Sequence, residues 1–275
     1  MYKIAVDAPD HTSAVKLILD AGPLCTISGT EGDNRLTGTA GDDIICGAGG
    51  DDIIKGQGGD DTVIGGPGSD TVSFADATQA VTVDLAAGTA TGQSSDALEE
   101  IEDVVGSRYD DTMSGDAHSN TLTGGPGADG LFGRYGYDTL RGRSGMDVLG
   151  GGHDPDVFNG GVGSDTADFK SATSVEVNLA TGSATGESNR NTAETLTRIE
   201  NVSGSPGTDQ LIGTDGMNLL QGAGGNDTIL GRSGHDRLFG AGGDDSLTGG
   251  AGTDVCGGGT GTDAATTCER TVAVP

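Results

Sequence analysis

Between residues 38 and 72, apolar side chains recur every nine positions, separated by glycine and acid. Read in nines, the stretch is GTAGDDIIC, GAGGDDIIK, GQGGDDTVI and GGPGSDTVS. Each unit has Gly at positions one and four, Asp at position six and an apolar residue at position eight. This spacing fits neither an amphipathic helix, with its period of 3.6, nor a long strand that alternates every second residue. It predicts a six-residue turn followed by a very short strand with one side chain pointing inward. A stack of such units needs only one small apolar residue per strand, because each coil buries its face against its neighbours.

The register extends along most of the chain, in three arrays of five, seven and seven units. Array one spans residues 29–73, with Asn34, Asp43, Asp52, Asp61 and Asp70 at position six. Array two spans 106–168, with Asp111, Asn120, Asp129, Asp138, Asp147, Asp156 and Asp165 there. Array three spans 204–266, with Asp209, Asn218, Asp227, Asp236, Asp245, Asp254 and Asp263. All nineteen units begin with Gly, sixteen have Asp at position six, and three have Asn. Position four departs from Gly at Tyr109, His118 and Asp154, and distorted turns are expected there.

Residues 74–105 and 169–203 break the rhythm and resemble one another. VTVDLAAGTATG matches VEVNLATGSATG, and LEEIEDVVGS matches LTRIENVSGS, so array plus interruption repeats about every 95 residues. Val81, Val83 and Leu85 alternate with Thr82 and Asp84, as in a half-buried strand. We expect the interruptions to be wider coils of the same solenoid rather than independent β-domains. Residues 1–28 are not repetitive and predict a cap, with a strand at Tyr2 to Val6 and a short helix at Ser13 to Leu19 after Thr12. Residues 267–275 form a short tail.

The turn residues carry the candidate chemistry. Glycine tolerates backbone angles that a Cβ opposes and leaves carbonyl oxygens free to point inward. Aspartate at position six adds a short carboxylate where the turn meets the strand. Two stacked turns of this kind give an irregular, anionic, all-oxygen cage, which suits Ca²⁺ rather than Zn²⁺ or Cu²⁺. The motif G-G-x-G-x-D-x-U-x resembles the RTX, or hemolysin-type, calcium-binding repeats. That resemblance implies an all-β, right-handed parallel β-roll in which units n and n+2 share an edge with one ion between them. Arrays of five, seven and seven then offer three, five and five pairs, roughly thirteen sites, carrying about +26. The nineteen sixth-position residues are the candidate ligands. Amide oxygens are the weaker ligands, so the leading sites, which contain Asn34, Asn120 and Asn218, are expected to bind least tightly. The acids at position five (Asp33, Asp42, Asp51, Asp60, Asp110, Asp244) are expected to be solvated.

Composition sharpens this picture. The chain of 275 residues has 53 glycines and a formal charge of −28, nearly matched by the expected ion charge. Such a charge argues against nucleic acid, anionic membranes and acidic polysaccharides as partners, and favours multivalent cations. Folding is then expected to require metal. No run is long enough for a membrane-spanning helix, and residues 1–24 are interrupted by Asp7, Asp10, Lys16 and Asp20, unlike a signal peptide. Four cysteines allow three connectivities; Cys25–Cys46 and Cys256–Cys268, two local pairs at the ends of the roll, are the expected disulfides. No H-E-x-x-H, G-x-S-x-G or phosphate-binding loop is present. The expected function is that of an extracellular, bacterial, non-catalytic calcium-binding module of structural or adhesive type. The alternatives are the accessory roll of a secreted protease, lipase or epimerase whose catalytic part lies elsewhere, and ice binding. Ice binding is disfavoured because Ala48, Gln57, Arg134 and Arg143 interrupt the position-two threonines.

Overall fold

The structure is a computed structural model that describes residues 4–5, 18–19, 24–186 and 193–272. Each unit contributes a short strand in which the middle residue is buried, as in Ile44–Cys46, Ile53–Lys55 and Thr62–Ile64. The glycine turn between strands reverses the chain, so successive strands fall on opposite sides. Unit n therefore pairs in parallel with unit n+2: Ile45 lies opposite Val63, and Ile54 opposite Val72. Two sheets result, of 15 and 14 strands. Their inward residues form one apolar interior, in which Ile45, Ile54, Met113, Leu131, Leu140, Phe158, Leu211 and Leu238 are fully buried.

The interruptions stay within these sheets but change direction. Thr82–Asp84, Thr89–Thr91 and Ser95–Glu99 form an antiparallel meander. It is inserted into the 15-stranded sheet between Thr62–Ile64 and Thr112–Ser114. The facing sheet passes directly from Thr71–Ser73 to Asp103–Val105. The second meander, Glu176–Asn178, Ser183–Thr185 and Glu194–Thr197, lies in the 14-stranded sheet instead. Parity explains the switch. Array two has an odd number of units, so the next interruption meets the opposite sheet. Gly88 and Gly182, with φ of +65° and +71°, make the reversals within the meanders. Val83, Ala90 and Leu98 continue the interior through the first one.

Ile18–Leu19 pairs antiparallel with Ile4–Ala5, so these two residues are strand and not the expected helix. The remainder of the expected N-terminal strand and helix lies outside the described residues. Disulfides join Cys25 to Cys46 and Cys256 to Cys268, with Cα atoms 5.9 and 6.0 Å apart, one at each end of the roll.

Candidate metal centre

The nineteen turns fall into two classes. The first two turns of each array have Thr30, Thr39, Ser107, Asp116, Ser205 or Thr214 at position two. There the position-two N–H donates to the sixth side chain of the same turn. Asn34, Asp43, Asp111, Asn120, Asp209 and Asn218 each accept this bond at 2.5–2.8 Å. Hydroxyl groups reinforce it, from Thr39 at 2.8 Å, Ser107 at 2.8 Å and Ser205 at 2.7 Å. These leading turns are closed by their own hydrogen bonds.

The thirteen following turns have positive φ at position two. Seven of the residues there are not glycine: Ala48, Gln57, Arg134, Arg143, Ala223, Arg232 and Ala241, with φ between +76° and +84°. The peptide is turned over, and its N–H no longer points to the carboxylate; that of Ala48 donates to the Gly65 carbonyl oxygen, 3.1 Å away. One carboxylate oxygen of each following Asp accepts the N–H of the sixth residue 18 positions earlier. Asp138 Oδ1 accepts from Asn120 at 2.8 Å, and Asp70 Oδ1 from Asp52 at 2.8 Å. The other oxygen is the notable one. In Asp52, Asp61, Asp70, Asp129, Asp138, Asp147, Asp156, Asp165, Asp227, Asp236, Asp245 and Asp254, Oδ2 is buried with no hydrogen-bond partner. The thirteenth, Asp263, is exposed in the last coil.

These orphaned oxygens are not isolated from other oxygens. The point where a Cβ of Gly47 would stand is 2.1 Å from Asp52 Oδ2 and 2.5 Å from the Gly65 carbonyl oxygen of the next coil. At Gly133 the distances are 2.1 Å to Asp138 Oδ2 and 2.7 Å to Gly151 O. Position one must therefore be glycine, and the gap it leaves is edged by a carboxylate and a carbonyl from consecutive coils. Among the described residues no group of three or more His, Cys, Asp or Glu side chains is placed to hold a metal. A cation here would take one carboxylate from a turn and complete its shell with backbone carbonyls, a donor set suited to a hard ion of variable geometry.

Burial and hydrogen bonding act on these carboxyls in opposite directions, and in leading-turn Asp209 burial still outweighs the Ser205 bonds and raises it. Burial, with the neighbouring aspartates adding to it, pushes Asp61 and Asp70 up to about 6 and Asp129 and Asp227 to about 7. Burial also raises Asp138 to about 7, and Asp156 to about 8 with Glu194 adding repulsion. In the leading turn of Asp43 the Thr39 N–H and hydroxyl lower the carboxyl instead. An unpartnered buried charge costs several kcal/mol. Proton uptake or a bound cation relieves that cost, and both are drawn to the same oxygens.

The distorted turns expected at Tyr109, His118 and Asp154 resolve differently. Tyr109 and His118 belong to leading turns, where position four does not have positive φ, so glycine is not required. Asp154 adopts φ +74°, in the left-handed region that Asp enters more readily than most residues. The position-five acids are exposed, yet they are also bonded. Asp33, Asp42, Asp51 and Asp110 accept the N–H of the position-five residue one coil on, at 2.8–3.0 Å. Arg134 forms a two-pronged ion pair with Asp84 of the first meander, at 2.7 and 2.8 Å.

Fold and site together define a calcium-binding β-roll of stacked nonapeptides. The family model described as the RTX calcium-binding nonapeptide repeat (four copies) matches residues 26–54, 47–72, 99–131, 132–167, 203–238 and 230–264, more than half of the chain. The chain belongs to that family. A search of curated proteins finds no significant match.

Proposed function

We propose that this protein is an extracellular, non-catalytic structural or adhesive module that winds when calcium binds. The observation that supports this reading is the set of twelve buried carboxylate oxygens without partners, all in the following turns. A chain of formal charge −28 that buries such oxygens needs cations to compensate them. Asp52, Asp61, Asp70, Asp129, Asp138, Asp147, Asp156, Asp165, Asp227, Asp236, Asp245 and Asp254 hold the ions in this reading, with the glycine-turn carbonyls. Asn34, Asp43, Asp111, Asn120, Asp209 and Asn218 lock their own turns instead. The two disulfides fit an oxidising, extracellular compartment.

Because ion binding is folding in this scheme, far-UV circular dichroism of the chelated protein is expected to show a largely unwound chain that winds in millimolar Ca²⁺. Equilibrium dialysis then counts on the order of twelve ions per chain. Tb³⁺, with the same preference for hard oxygen, displaces them. A chain that is fully wound after exhaustive chelation overturns the proposal.

A further inference from the structure

The last turns of arrays one and two and the next-to-last turn of array three lack a nonapeptide partner above them, yet their carboxylate oxygens are as buried and unpartnered as the rest. Asp70, Asp165 and Asp254 each have a relative exposure of 0% and an orphaned Oδ2. Each is covered by a three-residue turn that replaces the six-residue glycine turn: residues 100–102, 198–200 and 267–269. The three share a construction. The first residue has positive φ although it is not glycine: Glu100 at +53°, Arg198 at +54° and Thr267 at +50°. The second is apolar: Ile101 and Ile199 are in the core, and Cys268 packs against it. The third is Glu, at the place in the register where a nonapeptide carries Asp. Its Oε2 accepts the N–H of the Asp one coil back: Glu102 from Asp70 at 2.8 Å, Glu200 from Asp165 at 3.0 Å, Glu269 from Asp254 at 2.6 Å.

The carbonyl of the first residue completes the likeness. Beside Gly65, the Cβ point lies 2.1 Å from Glu100 O and 2.6 Å from Asp70 Oδ2. Beside Gly160 it lies 2.2 Å from Arg198 O and 2.5 Å from Asp165 Oδ2. Beside Gly249 it lies 2.4 Å from Thr267 O and 2.6 Å from Asp254 Oδ2. These are the same two oxygens, a carboxylate and a carbonyl from consecutive coils, that converge beside Gly47 and Gly133 between ordinary nonapeptides. The left-handed φ, unfavourable for Glu, Arg and Thr, accompanies this placement of the carbonyl in all three.

We propose that these three short turns are cation half-sites, each completing a divalent-cation site with the glycine turn one coil back through ligands that no nonapeptide supplies. The proposal rests on the calcium-binding reading above. It explains why the orphaned oxygens reach the last unit of arrays one and two and the next-to-last unit of array three. It also makes residues 267–269 a third copy of the segment that ends each interruption, held to the core rung by the Cys256–Cys268 disulfide.

The test is an ion count on the full chain, by native mass spectrometry after loading with Ca²⁺ and separately with Tb³⁺. Glu102→Gln, Glu200→Gln and Glu269→Gln keep an oxygen to accept the N–H but remove the charge. Each is expected to lose one ion, and the triple variant three, whereas Glu99→Gln, on an exposed strand position, loses none. A wound triple variant that holds as many ions as the wild type overturns the proposal. Should the triple variant fail to wind, Glu269→Gln alone decides, since its turn sits in the disulfide-pinned terminal coil; an unchanged count there overturns the proposal equally. A wild-type chain that binds no ions at all refutes instead the calcium reading on which this rests.

Discussion

The turns at 38–43 and 133–138 share a register, a leading glycine and a sixth-position aspartate, but they solve the burial of that carboxylate in different ways. In the first, the Thr39 N–H and hydroxyl bind Asp43 at 2.7 and 2.8 Å and lower its pKa. In the second, Arg134 has φ +78°, Asp138 Oδ2 has no partner, and the carboxyl rises to about 7. A hydrogen-bonding residue at position two with ordinary φ makes a turn that is complete by itself. A flipped position-two peptide makes a turn that is incomplete until something positive arrives. Array starts use the first kind and array bodies the second, so each array begins on turns whose sixth side chain is already satisfied by the turn's own hydrogen bonds.

The sharpest way to break this comparison is at position four. A Cβ on Gly136, at φ +106°, would stand 2.4 Å from the His118 carbonyl oxygen, whereas one on Gly41 meets nothing within 4 Å. Gly136→Ala is expected to destabilise the calcium-loaded roll by about 4 kcal/mol, through strain and overpacking together. Gly41→Ala changes it by less than about 0.5 kcal/mol. Equal effects in calorimetry erase the distinction between the two turn classes.

The carboxylates come next. Asp138→Asn removes the charge of a following turn and is expected to release an ion, costing about 3 kcal/mol when free calcium is a hundredfold above Kd. Asp43→Asn leaves the ion count unchanged and costs about 1 kcal/mol, the worth of a weakened hydrogen bond. Dialysis against ⁴⁵Ca²⁺ separates the two, and loss of an ion from the Asp43 variant contradicts the assignment.

Acidity is a milder lever, and its sign depends on calcium. Asp129, Asp138 and Asp227 bind a proton more tightly folded, near 7, than unfolded, near 4. The folded, chelated chain therefore holds more protons than the unfolded one. Their contribution is fully present below about 4 and is lost as pH rises through about 7. Lowering pH from 8 to 5 in chelator is expected to increase winding seen by circular dichroism. In limiting calcium the same change releases ions, because protons compete for the same oxygens. Winding in chelator that falls on acidification goes against this account.

The smallest expected effect is at position two of a leading turn. Thr39→Val deletes the hydroxyl but keeps the N–H bond to Asp43, and about 1 kcal/mol of thermal stability is expected to go with it.

Much of this was legible in the residues. A nine-residue period with one apolar position fixes the short strands, the core rungs and the carboxylate row, because each follows from geometry local to a unit, whereas the n to n+2 pairing was implied by the resemblance to RTX repeats. The division between turn classes was also written in the sequence, in Thr30, Thr39, Ser107, Asp116, Ser205 and Thr214, but position two acquires its meaning only when φ is known. The meanders were half legible. Alternation at Val81, Val83 and Leu85 marks a strand, yet with the period lost nothing local says that its neighbour runs antiparallel. Glu102 and Glu200 lie in the visible repeat of LEEIED and LTRIEN. Glu269 does not, because ATTCER shares with those segments only spacing, an apolar residue and a glutamate, and the backbone carries the likeness.

Asn120 and Asn218 have a consequence for how such a chain comes apart. Their amide groups donate to the carbonyls of Glu102 at 2.9 Å and Glu200 at 2.6 Å, filling with a neutral bond the place between coils where an ion would otherwise join one array to the next. Under the proposed assignment of ions, these bonds divide the rod into three cells that share a core but not their ions. At intermediate calcium the expected population is of single molecules wound in one stretch and bare in another, rather than a mixture of intact and unravelled chains. Amide exchange resolved along the chain is expected to show three separate midpoints, and a single shared one would mean that the partitions leak.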